Sequence, residues 1–258
     1  RLRMEGASSE ADIVLDLEGG YINQVSDSLE VLSDFDESMY CEDLLDPDDR
    51  YFPFSRESAC IATNDNILSE RGIPTPTSYQ DLLDPVYAGV VSMPNPKTSG
   101  TGYNFLKSLV NAWGEDAAFD YFDALAENVY QFTSSGSGPV NALVQGEAAV
   151  GLGMTYHAVS EINEGAPLSV HFFEEGSPWD VYGSGIIQGR AGRQAVHDVF
   201  GWLCTEGVRI DNATYVPDQV LAGVSPEIPN YPKDVKYADM TGITDVDEKM
   251  RLLERWSH

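Results

Sequence analysis

From residue 90 onward the apolar and polar positions alternate in a regular way. A strand is predicted over residues 90–93, followed by a Pro/Gly loop and a helix in which Tyr103, Phe105, Leu106, Leu109, Val110 and Trp113 form one apolar stripe. Gly114 ends that helix. A second helix is predicted over 115–127 with Phe119, Phe122 and Leu125 inward, then a strand over 129–132, a Ser/Gly loop, a short helix over 139–145 and a strand over 148–154. Further strands are expected at 168–173 and 183–187, an amphipathic helix at 193–204 and a terminal helix at 245–256. Before residue 90 the pattern is sparser: an apolar run at 11–17, a strand exit at 16–20 and a strand candidate within 51–63, separated by acidic, turn-rich sequence. Residues 207–244 are proline-rich with little periodicity and are expected to wrap the surface. Alternating helices and apolar strands imply an α/β fold.

Composition narrows the function. With 15 Lys plus Arg against 42 Asp plus Glu the formal charge is −27, which excludes a basic surface for nucleic acid. The acid excess is spread along the chain, and the acidic run Asp46-Pro47-Asp48-Asp49 reads as a solvated turn because it lacks the spacing of a calcium loop. No apolar run approaches the ~18 residues that a membrane-spanning helix needs. Cys41, Cys60 and Cys204 show no metal-ligand spacing; a Cys41–Cys60 disulfide is open if the protein is exported, and Cys204 reads as a buried small hydrophobe. The chain opens at Arg1-Leu2-Arg3-Met4 as if in the middle of a helix, so an export signal and a first strand and helix are expected to precede it.

Two loops place hydroxyls and glycines just before a helix: Lys97-Thr98-Ser99-Gly100-Thr101-Gly102 and Thr133-Ser134-Ser135-Gly136-Ser137-Gly138-Pro139. Ordinary N-capping, with Pro139 in a favoured first-turn position, accounts for either loop alone. Both follow successive strands of one lobe, however, and would face one cleft, where helix N–H groups and glycine-exposed backbone can hold an anion. Tyr156 and His157, after the strand over 148–154, could address the same cleft, and Trp179-Asp180 in a Gly/Pro loop would offer an aromatic platform beside a carboxylate. The sequence contains no G-x-S-x-G elbow, no H-E-x-x-H, no phosphate-binding P-loop and no G-x-G-x-x-G, so no catalytic residue is assigned and no cofactor is expected.

Gly72-Ile73-Pro74-Thr75-Pro76-Thr77-Ser78-Tyr79-Gln80-Asp81-Leu82-Leu83-Asp84-Pro85, then Tyr87-Ala88-Gly89 and Met93-Pro94-Asn95-Pro96 leading into Ser99-Gly100-Thr101-Gly102, resembles the ferric-ion-type periplasmic solute-binding proteins of ABC importers. The likeness continues through Gln131 to Gly138, Gly146 to Gly151, Gly165-Ala166-Pro167 and Glu174-Glu175-Gly176, covering roughly residues 1–189. It implies a type 2 periplasmic-binding fold: two α/β lobes joined by crossover strands, with lobe 1 expected at 1–62 and 173–258, C-terminal helix included, and lobe 2 at 63–172. It further implies an exported protein, periplasmic or a cell-surface lipoprotein, monomeric, that delivers a solute from the interlobe cleft to permease subunits. Relatives that hold iron(III) use two adjacent tyrosines; this sequence has no Tyr-Tyr, and the corresponding stretch Met154-Thr155-Tyr156-His157 has one tyrosine. The Ser-Gly-Thr and Ser-Gly-Ser-Gly loops resemble those of the branch of the family that binds phosphorylated sugars, phosphonates or small carboxylates, which implies a small organic anion as the solute, expected to be held by Ser99, Gly100, Thr101, Ser134, Ser135, Ser137 and Gly138 and read by Tyr156, His157, Trp179 and Asp180. Iron(III) on Tyr156 and His157 is the alternative, and a hydrolase using Ser135 or Ser137 is a further one.

Overall fold

The computed structural model describes residues 2–216, 220–224 and 227–258. In chain order the helices and strands are α1 (Leu2–Glu5), β1 (Ile13–Glu18), α2 (Gly19–Val25), β2 (Phe52–Asn64), α3 (Asp65–Arg71), β3 (Val91–Pro94), α4 (Gly100–Trp113), α5 (Glu115–Ala126) and β4 (Val129–Thr133). They continue with α6 (Gly138–Val144), β5 (Val150–Met154), α7 (Thr155–Asn163), β6 (Leu168–His171), β7 (Trp179–Ile186), α8 (Gln194–Trp202), α9 (Val208–Thr214) and α10 (Val246–Arg255). The chain forms two compact units, one of Arg1–Glu57, Asp180–Ile228 and Ile243–Val246, the other of Ser58–Trp179, Pro229–Gly242 and Asp247–His258. Passages between them include the long strand β2 and the start of β7.

In the first unit β1 runs antiparallel to β7, with Ile13 opposite Ile186 and Glu18 opposite Tyr182. The register breaks between Val14 and Leu17, where Asp16 takes φ 53° and donates its N–H to Ser184 Oγ at 3.0 Å. Leu32, Phe52, Ile186, Phe200, Cys204 and Val208 build the core, and the buried Tyr40 hydroxyl donates to the Cys204 carbonyl at 2.7 Å. Cys204 is indeed buried, and Cys60, buried as well, is not joined to Cys41. Arg50 N–H donates to Asp46 Oδ2 at 2.8 Å, so the acidic run at 46–49 is a turn.

In the second unit β2 lies antiparallel to β5 (Ala59 opposite Met154) and β6 (Asn64 opposite Leu168), and β3 lies parallel to β4 and β5. β3 and β5 are buried along nearly their whole length because helices cover them, whereas Tyr130 and Gln131 of β4 are exposed. Tyr103, Phe105, Leu106 and Leu109 of α4 and Phe119, Tyr121, Phe122 and Leu125 of α5 are buried on that cover. β3, β4 and β5 share one direction, so α4, α6 and α7 all start from the same edge of this sheet.

Several expectations are corrected. The expected helix at 193–204 passes into a π-turn at Leu203–Gly207 and resumes as α9, whose Val208 and Asn212 are buried. The turn shifts the helical phase, which hides the continuation from a 3.6-residue reading. β7 starts at Trp179, so Trp179 and Asp180 stand in a strand and not in a loop. Tyr156 and His157 lie in the first turn of α7, a helix the alternation did not reveal. The terminal helix and residues 229–242 group with the second unit, where Trp256 is buried against Phe122 with ring centroids 5.3 Å apart. No helix among the described residues is long and apolar enough to cross a membrane.

Candidate functional site

The turn from β3 to α4 is wound on Asn95. Its backbone N–H donates to the Thr133 carbonyl at 2.8 Å, tying it to the neighbouring strand, and its carbonyl accepts from the N–H groups of Thr98 and Ser99, both at 3.0 Å. Asn95 Oδ1 accepts from Lys97 N–H at 2.9 Å. Ser99 then takes extended backbone angles and caps α4: its Oγ accepts from Gly102 N–H at 3.3 Å. Capping satisfies one of the N–H groups that a helix start leaves without an intrahelical partner. Ser99 and Thr101 are both buried, at 8% and 7% exposure, and Gly100 opens the helix between them.

The turn from β4 to α6 is built differently. Ser134 and Ser135 are exposed, and Ser135 Oγ and Ser137 Oγ lie 3.1 Å apart. Thr133 Oγ1 donates to the Ser135 carbonyl at 2.9 Å, which also receives Gly138 N–H at 3.2 Å. Ser137 is the cap residue of α6 but makes no side-chain cap, and Pro139 follows in the first turn. Ser134, Ser135 and Gly138 also border a depression of about 290 Å3 with Gln131, Asn141 and Glu147.

The two turns meet at Gly136. A Cβ there would lie 2.1 Å from Thr101 Oγ1, 2.8 Å from Thr101 Cβ and 3.0 Å from Met154 Cγ, so only glycine lets the β4 turn close over the start of α4. Met154 is the last residue of β5 and the cap residue of α7, and it carries no side-chain oxygen to cap with. Three helix starts thus converge on one point at the sheet edge. The next residues, Tyr156 and His157, are half-buried in the first turn of α7. His157 Nε2 lies 3.4 Å from Glu161 Oε1, and its buried Nδ1 has no hydrogen-bond partner among the described residues. Thr155, fully buried, sets the start of that helix through its hydroxyl, 3.1 Å from Ser58 Oγ.

Trp179, also in the second unit, donates Nε1–H to the Ala238 carbonyl at 3.1 Å and has its ring 6.2 Å from that of Tyr237; these contacts bind it to the 236–238 segment. Asp180 belongs to the first unit. It is 2% exposed, and its Oδ1 accepts from Val181 N–H at 2.8 Å. A Cβ on Gly19 would lie 3.0 Å from that Oδ1 and 2.8 Å from the Val181 carbonyl, so the Gly19-Gly20 step at the end of β1 is pressed against Asp180. Burial, with the carboxylates Asp46 and Asp180 adding to it, pushes the Tyr51 phenol up to about 12. In the sequence residues 16–20 read only as a strand exit, and the one local signal for this packing is the Gly-Gly step at the strand end. Asn95 was also missed as a site-builder, although it stands inside the motif that drew attention.

A family model described as "Bacterial extracellular solute-binding protein" matches residues 17–186. An uncharacterized protein of Haemophilus influenzae is 30% identical over an alignment of 204 residues that covers 76% of this chain and 59% of that protein. Among solved structures, the periplasmic binding protein AfuA from Actinobacillus pleuropneumoniae, with exogenous fructose-6-phosphate bound, is similar at a TM-score of 0.83 and 24% identity, over 99% of this chain and 84% of that one. Iron-bound HitA from Pseudomonas aeruginosa is similar at 0.77 and 17%, over 98% and 85%. Likenesses of this degree show the fold, which is that of type 2 periplasmic binding proteins.

Proposed function

Because the chain belongs to the bacterial extracellular solute-binding proteins, we propose that it is the solute-capturing component of an ABC importer and that its second unit holds a small organic anion. The observation that carries this reading is the convergence of α4, α6 and α7 at Gly136. Helix starts present N–H groups and partial positive charge to an anion. In a chain of formal charge −27 this is the way to hold an anion with neutral dipoles instead of a cluster of cations. Thr101, Ser135 and Ser137 add hydroxyl donors around that point; Ser99 contributes by ordering the helix start. Tyr156 and His157 read the remainder of the solute, and the Nδ1 of His157 is a group in want of a partner.

No catalytic step belongs to this reading. Among the described residues Ser135 and Ser137 pair with one another and not with a base, and His157 Nε2 leans toward Glu161. The AfuA likeness makes fructose-6-phosphate the first probe, and the iron-bound HitA likeness makes iron(III) the competing one, for which Tyr156 and His157 would supply ligands.

A thermal-shift panel of sugar phosphates, phosphonates, dicarboxylates and iron(III) on metal-free protein tests the assignment. A ligand at 100 times its Kd adds about 2.7 kcal/mol, a rise on the order of 5–10 °C for a chain of this size. The expected result is a response to one anionic organic compound that Ser137→Asp weakens at least tenfold by putting like charge in the cradle. Unchanged affinity in that variant, or a response to iron alone with a tyrosinate charge-transfer colour, would sink the cradle.

A further inference from the structure

One face of α4 carries Tyr103, Lys107 and Asn111, four residues apart, and a segment more than a hundred residues later grips all three. Lys249 Nζ stands 4.6 Å over the Tyr103 ring. Lys107, 3% exposed, pairs its Nζ with Glu248 Oε2 at 2.6 Å. Asn111 Nδ2 donates to the carbonyls of Asp239 at 2.9 Å and Thr241 at 3.0 Å. The fit around the ion pair is close: Gly242 has φ 79°, and a Cβ there would lie 2.9 Å from Glu248 Oε2 and 3.2 Å from Lys107 Nζ. Asp239 is the second carboxylate beside Lys107; hydrogen bonds from Thr241 and, to a lesser degree, the ammonium hold its carboxyl below the usual range.

The same segment continues to the root of the β3 turn. Arg251 and Arg255 bind Glu115 at 2.6 and 2.9 Å, and the Trp256 ring lies edge-on to Phe122 and Phe132. Trp256 Nε1 and Asn95 Nδ2 both donate to the His258 carbonyl, each at 2.9 Å. Asn95 is the residue on which the turn into α4 is wound. The helix that begins at the cradle is therefore held along its flank and at its entrance by one strap.

We propose that this strap fixes the axial position of α4, and with it the placing of Ser99 and Thr101, so that Lys107 and Glu248 are positioning residues for the cradle although neither touches the solute. Lys107 lies eight residues from Ser99, about 12 Å along a rigid helix at 1.5 Å per residue. Removing the Glu248 charge takes away the carboxylate that faces the buried ammonium at 2.6 Å and leaves Asp239 as the remaining one beside it, so the ammonium shifts to recover a charged partner. Its movement carries the helix start with it. Only the consequence for affinity rests on the cradle reading; the mechanical link does not.

Hydrogen–deuterium exchange on the solute-free protein tests the link, comparing wild type with Glu248→Gln, Glu248→Asp and the milder Asn111→Ala. The expected result is exchange at least tenfold faster at residues 98–102 in Glu248→Gln, with strand 150–154 unchanged and most protection regained in Glu248→Asp. Acceleration confined to residues 239–258 would overturn the proposal, and should Glu248→Gln fail to fold, Asn111→Ala is read by the same criterion. Calorimetry with fructose-6-phosphate forms the second arm, in which Glu248→Gln is expected to weaken binding about tenfold well below its Tm. If the wild type bound no anionic probe while exchange at 98–102 still accelerated, the cradle reading would fall and the strap would stand.

Discussion

In the turn between β3 and α4, Ser99 is buried and its oxygen is occupied in capping Gly102 N–H, whereas in the turn between β4 and α6 Ser135 and Ser137 face one another at 3.1 Å and cap nothing. Both turns read alike in sequence, as hydroxyls and glycines ahead of a helix. Their physical roles divide: the first builds the helix start, and the hydroxyls of the second take no part in capping, which leaves them for the proposed solute. The difference teaches that a serine before a helix is evidence for binding only after the cap has been accounted for. Under the proposed function it ranks Ser135 and Ser137 above Ser99 as solute contacts.

Gly136 is where the comparison breaks hardest, since it holds the two turns together. Gly136→Ala drives a Cβ to 2.1 Å from Thr101 Oγ1, and Thr101 sits buried in a helix with little room to give. Overpacking of this kind costs about 1–3 kcal/mol, a fall on the order of 2–10 °C in Tm, and affinity for the solute should drop tenfold or more. Gly192→Ala is the control: a Cβ there meets nothing within 4 Å, and its backbone is not in the left-handed region. Equal Tm values for the two variants would show that the turns do not close as described.

The separation of roles is sharpened by exchanging the readouts. Ser99→Ala removes a cap and should lower stability by about 1 kcal/mol, about 2–4 °C in Tm, with a smaller effect on affinity. Ser135→Ala with Ser137→Ala should leave stability within about 0.5 kcal/mol, as surface changes do, and weaken binding about tenfold, which is about 1.4 kcal/mol. Calorimetry and thermal melts on both sets would reverse the ranking if the double variant lost stability and kept its affinity.

How much of this was legible depended on whether a residue's role was written locally. The stripe from Tyr103 to Trp113 with Gly114 behind it gave α4 to within a few residues at its start and to the residue at its end, because helix period and stop signal agree there. The convergence of both turns on one edge followed from parallel strands. The closeness of Gly136 to Thr101 did not, because nothing in a loop's own sequence says which side chain will stand opposite it. α7 went unseen because Thr155, Tyr156 and His157 begin it without a cap signal and its apolar positions are few. Trp179 and Asp180 read as a loop because Gly176 and Pro178 stand just before them and the recognisable strand pattern begins only at Gly183, whereas β7 already starts at Trp179. The terminal helix shows the limit most clearly: its length was readable, but its attachment to the second unit rests on Glu248, Arg251 and Trp256 finding partners more than a hundred residues earlier.

Lys97 supplies the smallest expected effect and the one that isolates charge from geometry. Its backbone N–H belongs to the Asn95 winding, while its side chain is exposed. Lys97→Gln therefore leaves the turn intact and removes one positive charge near the proposed cradle, which an anion would approach against a formal charge of −27. At an ionic strength of about 0.01 M, where the screening length is about 30 Å, the variant should bind a few-fold more weakly than wild type. At about 1 M the screening length falls to about 3 Å, and the two affinities should become indistinguishable. A deficit that persisted at high salt would mean that Lys97 touches the solute directly, and the cradle would then be partly ionic instead of one made of N–H groups and hydroxyls.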